Sequence, residues 1–500
     1  MNLYKTIFDR ARGATADVAF ECDDGTRVTH GEFHALVGRI AGNLAEASVE
    51  PGDRVVAQIE KSVEAIALYL ATLRIGAIFV PLNTAYTQRE LEYFVADSEP
   101  RVLVCAPAKA AFGAAVCAAA RVTAEVHTLA ENGAGSLLEH PVEADAEIVE
   151  RRSDDLAAIL YTSGTTGRSK GAMLSHGNLA ANAQTLRTLW GWRRDDILLH
   201  VLPVYHVHGL FVAMHCALLE PSTVLFQQRF DPGTAVRALA RSTVFMGVPT
   251  HYVRLLESES FTAQACEGVR LFISGSAPLR RETFDAFEAR TGQRILERYG
   301  MTEAGMITSN PLQGPRVAGT VGFALPGVAL RVVDDAGGIV DDEGIGTLEI
   351  RGPNVFKGYW RKPEKTREDF HDGWFVTGDL ASRDAEGRVS IVGRGKDLII
   401  SGGLNVYPKE VEQVLDTLPG VSESAVFGVA HPDFGEGVVA AVVGDGSTGF
   451  DEAALRARLR EMLAAFKVPQ RIVELEALPR NAMGKVQKNL LRDRYVDVFG

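Results

Sequence analysis

The chain is poor in cysteine, has no C-x-x-C pair, no long unbroken apolar run and no excess of positive charge. Its five cysteines in 500 residues (Cys22, Cys105, Cys117, Cys216, Cys266) are scattered and odd in number. They indicate neither a disulfide framework nor a zinc site, and a reducing cytoplasm is the expected compartment. The most apolar segment, residues 65–82, is broken by Arg74, and the first residues lack an apolar signal core, so neither a membrane span nor secretion is expected. A formal net charge of -12 argues against nucleic acid or an anionic membrane as partner, because such surfaces call for a basic field. Any polyanionic ligand must be met by local groups. Internal repeats and low-complexity tracts are also missing, and 46% hydrophobic with 23% charged residues is ordinary for a globular chain long enough for more than one domain.

The stretch 161–171 reads Tyr-Thr-Ser-Gly-Thr-Thr-Gly-Arg-Ser-Lys-Gly. Hydroxyl side chains, glycines that admit close approach of backbone N–H groups, and one lysine suit a loop that holds polyphosphate. It follows an apolar, strand-like run at 156–160 and leads through 172–176 into a helical pattern. A Walker A loop is excluded, since that motif needs glycine at Ser169 and serine or threonine at Gly171. A plain Gly/Ser/Thr surface turn is the competing reading.

Helical and extended patterns alternate from the start. Residues 29–45 and 62–74 read as helices, 54–59, 77–81 and 101–105 as strands, and Thr87-Gln-Arg-Glu90 as a capping box opening a helix over 91–97. Apolar strands at 197–202, 223–226, 244–248 and 269–273 extend the alternation, which predicts an α/β fold with doubly wound, buried parallel sheets. Between 317 and 394, short alternating strands with Gly-containing turns at Asp335, Asp342 and Asp384 predict a small antiparallel β unit. After Lys396 the βα pattern has its own apolar set, including an amphipathic helix over 452–466, which is enough for a smaller α+β domain. The expected division is 1–394 and 395–500.

Five further stretches complete the pattern: Ser274-Gly-Ser-Ala-Pro278, Arg298-Tyr-Gly-Met-Thr-Glu303, Thr377-Gly-Asp379, Gly393-Arg-Gly-Lys-Asp397 and Pro479-Arg-Asn-Ala-Met-Gly-Lys485. With these, in this order over nearly the whole length, the chain resembles the adenylate-forming acyl-CoA synthetases. The resemblance implies a large amino-terminal domain and a mobile carboxy-terminal lid. It also implies ATP, Mg²⁺ and coenzyme A as reactants in a two-step reaction through an acyl-adenylate. It assigns Thr162, Ser163, Gly164, Thr165, Thr166, Gly167 and Lys170 to the phosphates, and Thr165 and Glu303 to Mg²⁺. Tyr299, Gly275 and Ser276 fall where the family seats adenine, Arg298, Gly300 and Thr302 among its other ATP-binding residues, Asp379 with the ribose hydroxyls, and Arg394 beside it. Lys485 corresponds to the lysine that reaches the α-phosphate and carboxylate, Lys396 to the hinge, and Ser401, Gly402 and Gly403 to the pantetheine loop. Lys485 is by the same resemblance a target for a lysine acetyltransferase and deacetylase, since acetylation would erase its charge. Ile400 stands where many eukaryotic members carry lysine and Ser169 where proline is usual; neither removes a catalytic group.

For the acid, the stretches His206-Val-His-Gly209 and Pro249-Thr-His-Tyr-Val-Arg254 matter. An arginine aimed into the acyl pocket would demand a second carboxylate, because a buried unpaired cation is unfavourable and the guanidinium fork fits a carboxylate. Helical periodicity also allows Tyr252, Leu255 and Leu256 to take the buried face and leave Arg254 outside. Within the family these stretches resemble the malonyl-CoA synthetases. That implies a small pocket in which Arg254, His206 and Ser276 bind the far carboxylate of malonate or methylmalonate, with Met301 as a wall. Other readings are a CoA ligase for another short or aromatic acid, an enzyme loading a carrier protein, and an inactive nucleotide-binding regulator.

Overall fold

The computed structural model describes residues 1–139, 147–162, 169–340, 344–401, 404–432, 434–447, 449–463, 465–481 and 484–500. These form two compact units, one of Met1–Ala329 with Ile350–Phe375, the other of Leu330–Glu349 with Val376–Gly500.

The first unit is built on two sheets. The larger has nine strands, in the order Phe323–Ala324, Gly305–Ser309, Leu296–Met301, Leu271–Ser274, Val244–Gly247, Ile197–His200, Thr223–Phe226, Val18–Cys22, Arg27–Thr29. From Leu296–Met301 to Val18–Cys22 neighbouring strands are parallel, and antiparallel strands close both edges. The second sheet has six strands, in the order Glu125–Thr128, Val102–Cys105, Arg54–Gln58, Ile78–Pro81, Leu156–Thr162, Lys170–Ser175, and only its last pair is antiparallel. Parallel strands buried on both faces read as continuous Val/Ile/Leu runs, and Val102–Cys105 and Leu271–Ser274 are buried throughout. In open α/β sheets ligand-binding residues gather beyond the carboxyl ends of such strands. His200, Gly247, Ser274 and Thr162 all stand at or near those ends.

The helices begin where local chemistry can cap them. Thr29 and Thr87 form capping boxes with Glu32 and Glu90, opening His30–Glu46 and Gln88–Ser98, and Ser62 caps Val63–Arg74. One element departs from the expected pattern. The stretch after the phosphate loop is the strand Lys170–Ser175, paired antiparallel with Leu156–Thr162, and the helix His176–Leu189 starts only behind a Ser175/Asn178 capping box. Under the larger sheet Phe245, Tyr252, Phe272 and Phe287 pack edge to face, and the Tyr252 hydroxyl donates to the Ile273 carbonyl at 2.7 Å, which fixes the helix Pro249–Glu257 beside the strand ends.

The second unit carries most of a small sheet with Gly346–Arg351, Trp374–Arg383 and Val389–Arg394, the last two antiparallel. It also holds a five-stranded sheet centred on the long hairpin Val421–His431/Gly435–Gly444. Val426, Val438 and Ala440 pack on one face with Leu415 and Leu459 from helices; Phe427, Val439 and Ala441 pack on the other with Leu491. Among the described residues no helix is long and apolar enough to cross a membrane.

Several histidines are sealed in the first unit. Burial pushes His34 and His176 down to about 4 and His215 to about 3. The unfolded chain binds protons at these rings near pH 6.5 while the folded chain does not, so their stabilising contribution is full above that pH and is lost progressively as pH falls toward 4. Urea denaturation of wild type and His215→Asn at pH 7 and pH 5 checks this. The wild type should lose stability on acidification, and the variant should show a shallower loss of about 1 kcal/mol less.

Candidate active site

The strands flanking the phosphate loop meet in register, with Thr162 opposite Lys170 and the Thr162 hydroxyl 3.5 Å from the Lys170 carbonyl. Ser163, Gly164, Thr165, Thr166 and Gly167 lie outside the described residues. The loop's base is braced from below: Tyr93 donates to the Ser169 carbonyl and Tyr161 to Asp97, each at 2.7 Å. Lys170 Nζ sits 4.3 Å over the Tyr359 ring and 3.9 Å from the Asp369 carboxylate. Its half-buried position lowers its pKa, partly offset by Asp369. The lysine is thus held at the mouth of the loop with weak competition for its charge.

Glu303 occupies the tight turn between Leu296–Met301 and Gly305–Ser309. Gly300 is obligatory there, since any Cβ would run into the Gly305 carbonyl and Met306. The Glu303 carboxylate is buried, and Tyr359 donates to its Oε1 at 3.2 Å. Tyr299 and Thr302 flank it half-buried, with the Tyr299 hydroxyl 4.0 Å from Met301 Sδ. Among the described residues no cluster of three or more His, Cys, Asp or Glu is placed to hold a metal. A single carboxylate fits Mg²⁺, which completes its shell with water and phosphate oxygens, and does not fit a dedicated structural metal.

Beyond the strand Leu271–Ser274, Gly275 leaves room that Arg298 fills: a Cβ there would overlap the guanidinium. Ser276 adopts the left-handed conformation (φ 73°), with its hydroxyl 3.2 Å from His208 Nδ1. Arg298 is buried, burial lowers its pKa to about 9, and its Nε and Nη2 meet no hydrogen-bond partner among the described residues. His208 is held well below its usual range by burial and then by the Arg298 charge, so it is neutral. His206 is half-buried and accepts the His208 backbone N–H at 3.3 Å, while His200 contacts the Gly209 carbonyl at 3.1 Å. The chain widens into a π-helical turn over His208–Ala213, a distortion frequent at functional sites.

Tyr252 and Leu255 take the buried face of Pro249–Glu257 and leave Arg254 exposed, its charge still felt at the half-buried His251 stacked 4.2 Å from Phe230. Arg298 is buried, a position the motif reading had placed among the ATP-binding residues, and so is Lys61, which donates to the His200 and Gln227 carbonyls. Tyr359 and Asp369 escaped the sequence reading, since neither carries a motif signal, whereas His208 is one of the two imidazoles of the stretch 202–209.

In the second unit Asp379 and Arg394 stand opposite each other in register, and the buried carboxylate pairs with Arg394 Nε at 2.7 Å. The Thr377 hydroxyl donates to the Leu348 carbonyl (2.8 Å) and receives the Asp379 N–H (3.1 Å), so the Thr-Gly-Asp turn is fixed at both ends. Lys396 lies in the one-turn helix Gly395–Asp397 and is exposed. Ser401 is buried at the end of Ile399–Ser401, whereas Gly402 and Gly403 lie outside the described residues. Lys485 is exposed on a tight turn closed by Asn481 N–H to the Lys485 carbonyl (2.9 Å), with Gly484 at φ 74°.

Doubly wound sheets whose strand ends carry a hydroxyl-rich loop with its lysine and a buried glutamate, followed by a smaller α+β unit, define an adenylate-forming enzyme. The chain belongs to the AMP-binding enzyme family: the family profile matches residues 7–360, and that of the AMP-binding enzyme C-terminal domain matches 410–485. It is similar to the crystal structure of ATP-bound MatB from Rhodopseudomonas palustris, with 51% identity and a TM-score of 0.97 over 100% of this chain and 99% of that one. Among curated proteins it is 33% identical to a malonate–CoA ligase of Arabidopsis thaliana (98% of this chain, 88% of that protein). It is also 35% identical to a feruloyl-CoA synthase of Amycolatopsis (94% of each).

Gly300→Ala should destabilise the first unit by about 1–3 kcal/mol and weaken ATP binding, because the turn that carries Glu303 must open. Denaturation and equilibrium ATP binding check it; wild-type values in both would contradict the packing described.

Proposed function

We propose that this protein is an ATP-dependent, AMP-forming malonyl-CoA synthetase, with methylmalonate as the alternative acid. One carboxylate oxygen of the acid attacks the α-phosphorus and pyrophosphate leaves. The coenzyme A thiol then attacks the acyl carbon, and AMP departs with the bond electrons. Lys170 and the loop 162–167 hold the β- and γ-phosphates. Glu303, with Thr165, would hold Mg²⁺, which supplies charge neutralisation between phosphate oxygens. Asp379 receives the ribose hydroxyls, with Arg394 holding it in orientation. Lys485 stabilises the charge that builds between the α-phosphate and the attacking carboxylate. Residues 395–500 act as the moving part with Lys396 as pivot, and Ser401 with Gly402 and Gly403 receives the pantetheine.

The observation that carries the choice of acid is the buried Arg298 guanidinium with Nε and Nη2 unsatisfied. A desolvated guanidinium with two unmet donors is unfavourable even with the Glu297 charge nearby, and a small dicarboxylate supplies acceptors for them while its other carboxylate reacts. His208 and Ser276 offer neutral hydrogen-bonding partners beside it. The similarity to a malonate–CoA ligase supports the same reading. Arg254, exposed at the end of its helix, contributes attraction at longer range.

Acid-dependent exchange of labelled pyrophosphate into ATP, with malonate, methylmalonate, acetate and hexanoate, tests the proposal. Wild type should favour the dicarboxylates, and Arg298→Met should lower kcat/KM for malonate by at least about 30-fold while narrowing its advantage over acetate. Equal turnover of all four acids, or a malonate preference that survives Arg298→Met, would overturn it.

A further inference from the structure

Residues 354–360 lie outside the stretches quoted above, yet they hydrogen-bond to two of them. At one end Asn354 Nδ2 donates to the Ala304 and Met306 carbonyls at 2.8 and 3.1 Å, and Phe356 N–H donates to the Glu303 carbonyl at 2.8 Å. At the other, Lys357 N–H donates to Met173 O (2.9 Å), Met173 N–H to Gly358 O (3.0 Å) and Trp360 N–H to Gly171 O (2.8 Å). Tyr359 therefore runs antiparallel beside the strand Lys170–Ser175, opposite Ala172. The segment straps the glutamate turn to the strand that begins with the phosphate-loop lysine, positions separated by more than a hundred residues in sequence.

One side chain on the strap touches both. Tyr359 is 4% exposed, its hydroxyl is 3.2 Å from Glu303 Oε1, and the Lys170 ammonium lies 4.3 Å over its ring. Its backbone is equally fixed: Thr366 Oγ1 accepts the Tyr359 N–H (2.9 Å) and donates to the Lys362 carbonyl (3.0 Å). Gly358 takes φ 115° where a side chain would strike Thr366.

We propose that Tyr359 is a positioning residue that couples Lys170 to Glu303, so that the cation for the phosphates and the carboxylate for Mg²⁺ meet the nucleotide as one preset pair. The proposal rests on the reading of this site as a Mg²⁺·ATP site. The hydroxyl holds Oε1 of Glu303 and so fixes the orientation of the carboxylate. The ring face limits where the lysine can swing. Removing the hydroxyl alone releases the carboxylate and leaves the ring beneath Lys170 in place.

The test is Tyr359→Phe, read by equilibrium ATP binding with and without Mg²⁺ and by thermal unfolding. The expected result is a roughly tenfold weaker Kd for ATP in the presence of Mg²⁺, little change without the metal, and a near-wild-type Tm. In a Glu303→Gln background the same change should have no further effect on the metal dependence. An unchanged Mg²⁺ dependence in Tyr359→Phe, an equal loss with and without metal, or a full additional loss on top of Glu303→Gln would each overturn the proposal. A wild-type protein that binds ATP equally well with and without Mg²⁺ would instead sink the underlying reading of the site.

Discussion

Two anions can react only where fixed positive charge and hydrogen-bond donors replace the water that would otherwise shield them, and the first unit is arranged to meet that constraint. The net charge of the chain is negative, so the field must be local. It is supplied at two points: Lys170 over the Tyr359 ring, and Arg298 packed against Gly275. The histidines around Arg298 are kept neutral by burial, which avoids a cluster of like charges that would push the unit apart. Among the described residues, Arg298 keeps its Nε and Nη2 buried without a hydrogen-bond partner.

The two sheets converge on this chemistry because parallel strands end on the same side. Covalent connection alone would not hold Lys170 near Glu303, since one begins an edge strand of the six-stranded sheet and the other lies in a turn of the nine-stranded sheet. Backbone pairing of residues 354–360 with both solves this without loops long enough to move. In the second unit the same economy appears on a smaller scale, where a register match across two antiparallel strands puts Asp379 and Arg394 in contact.

Much of this was legible from residue order. The capping box at Thr87 marked a helix start because its chemistry is local, and the apolar runs at 101–105 and 244–248 marked strands. The family itself was legible because its stretches are long and ordered. What escaped was decided by partners distant in sequence. The run 170–175 has no alternation to distinguish strand from helix start, and only its pairing with 156–162 makes it a strand. Helical phase exposes Arg254, and a glycine on a neighbouring strand end makes room for Arg298. Tyr359 stands in Phe356-Lys-Gly-Tyr-Trp360, where nothing in composition separates a core tyrosine from one that touches a carboxylate and a lysine.

The central claim is that an organic acid displaces the outer two phosphates of ATP at this site. Phosphorus NMR of the purified protein with malonate, MgATP and coenzyme A measures it most directly. The account predicts AMP and pyrophosphate in equal amounts, formed only when the acid is present. Release of ADP and orthophosphate, or AMP formation indifferent to the acid, would contradict it.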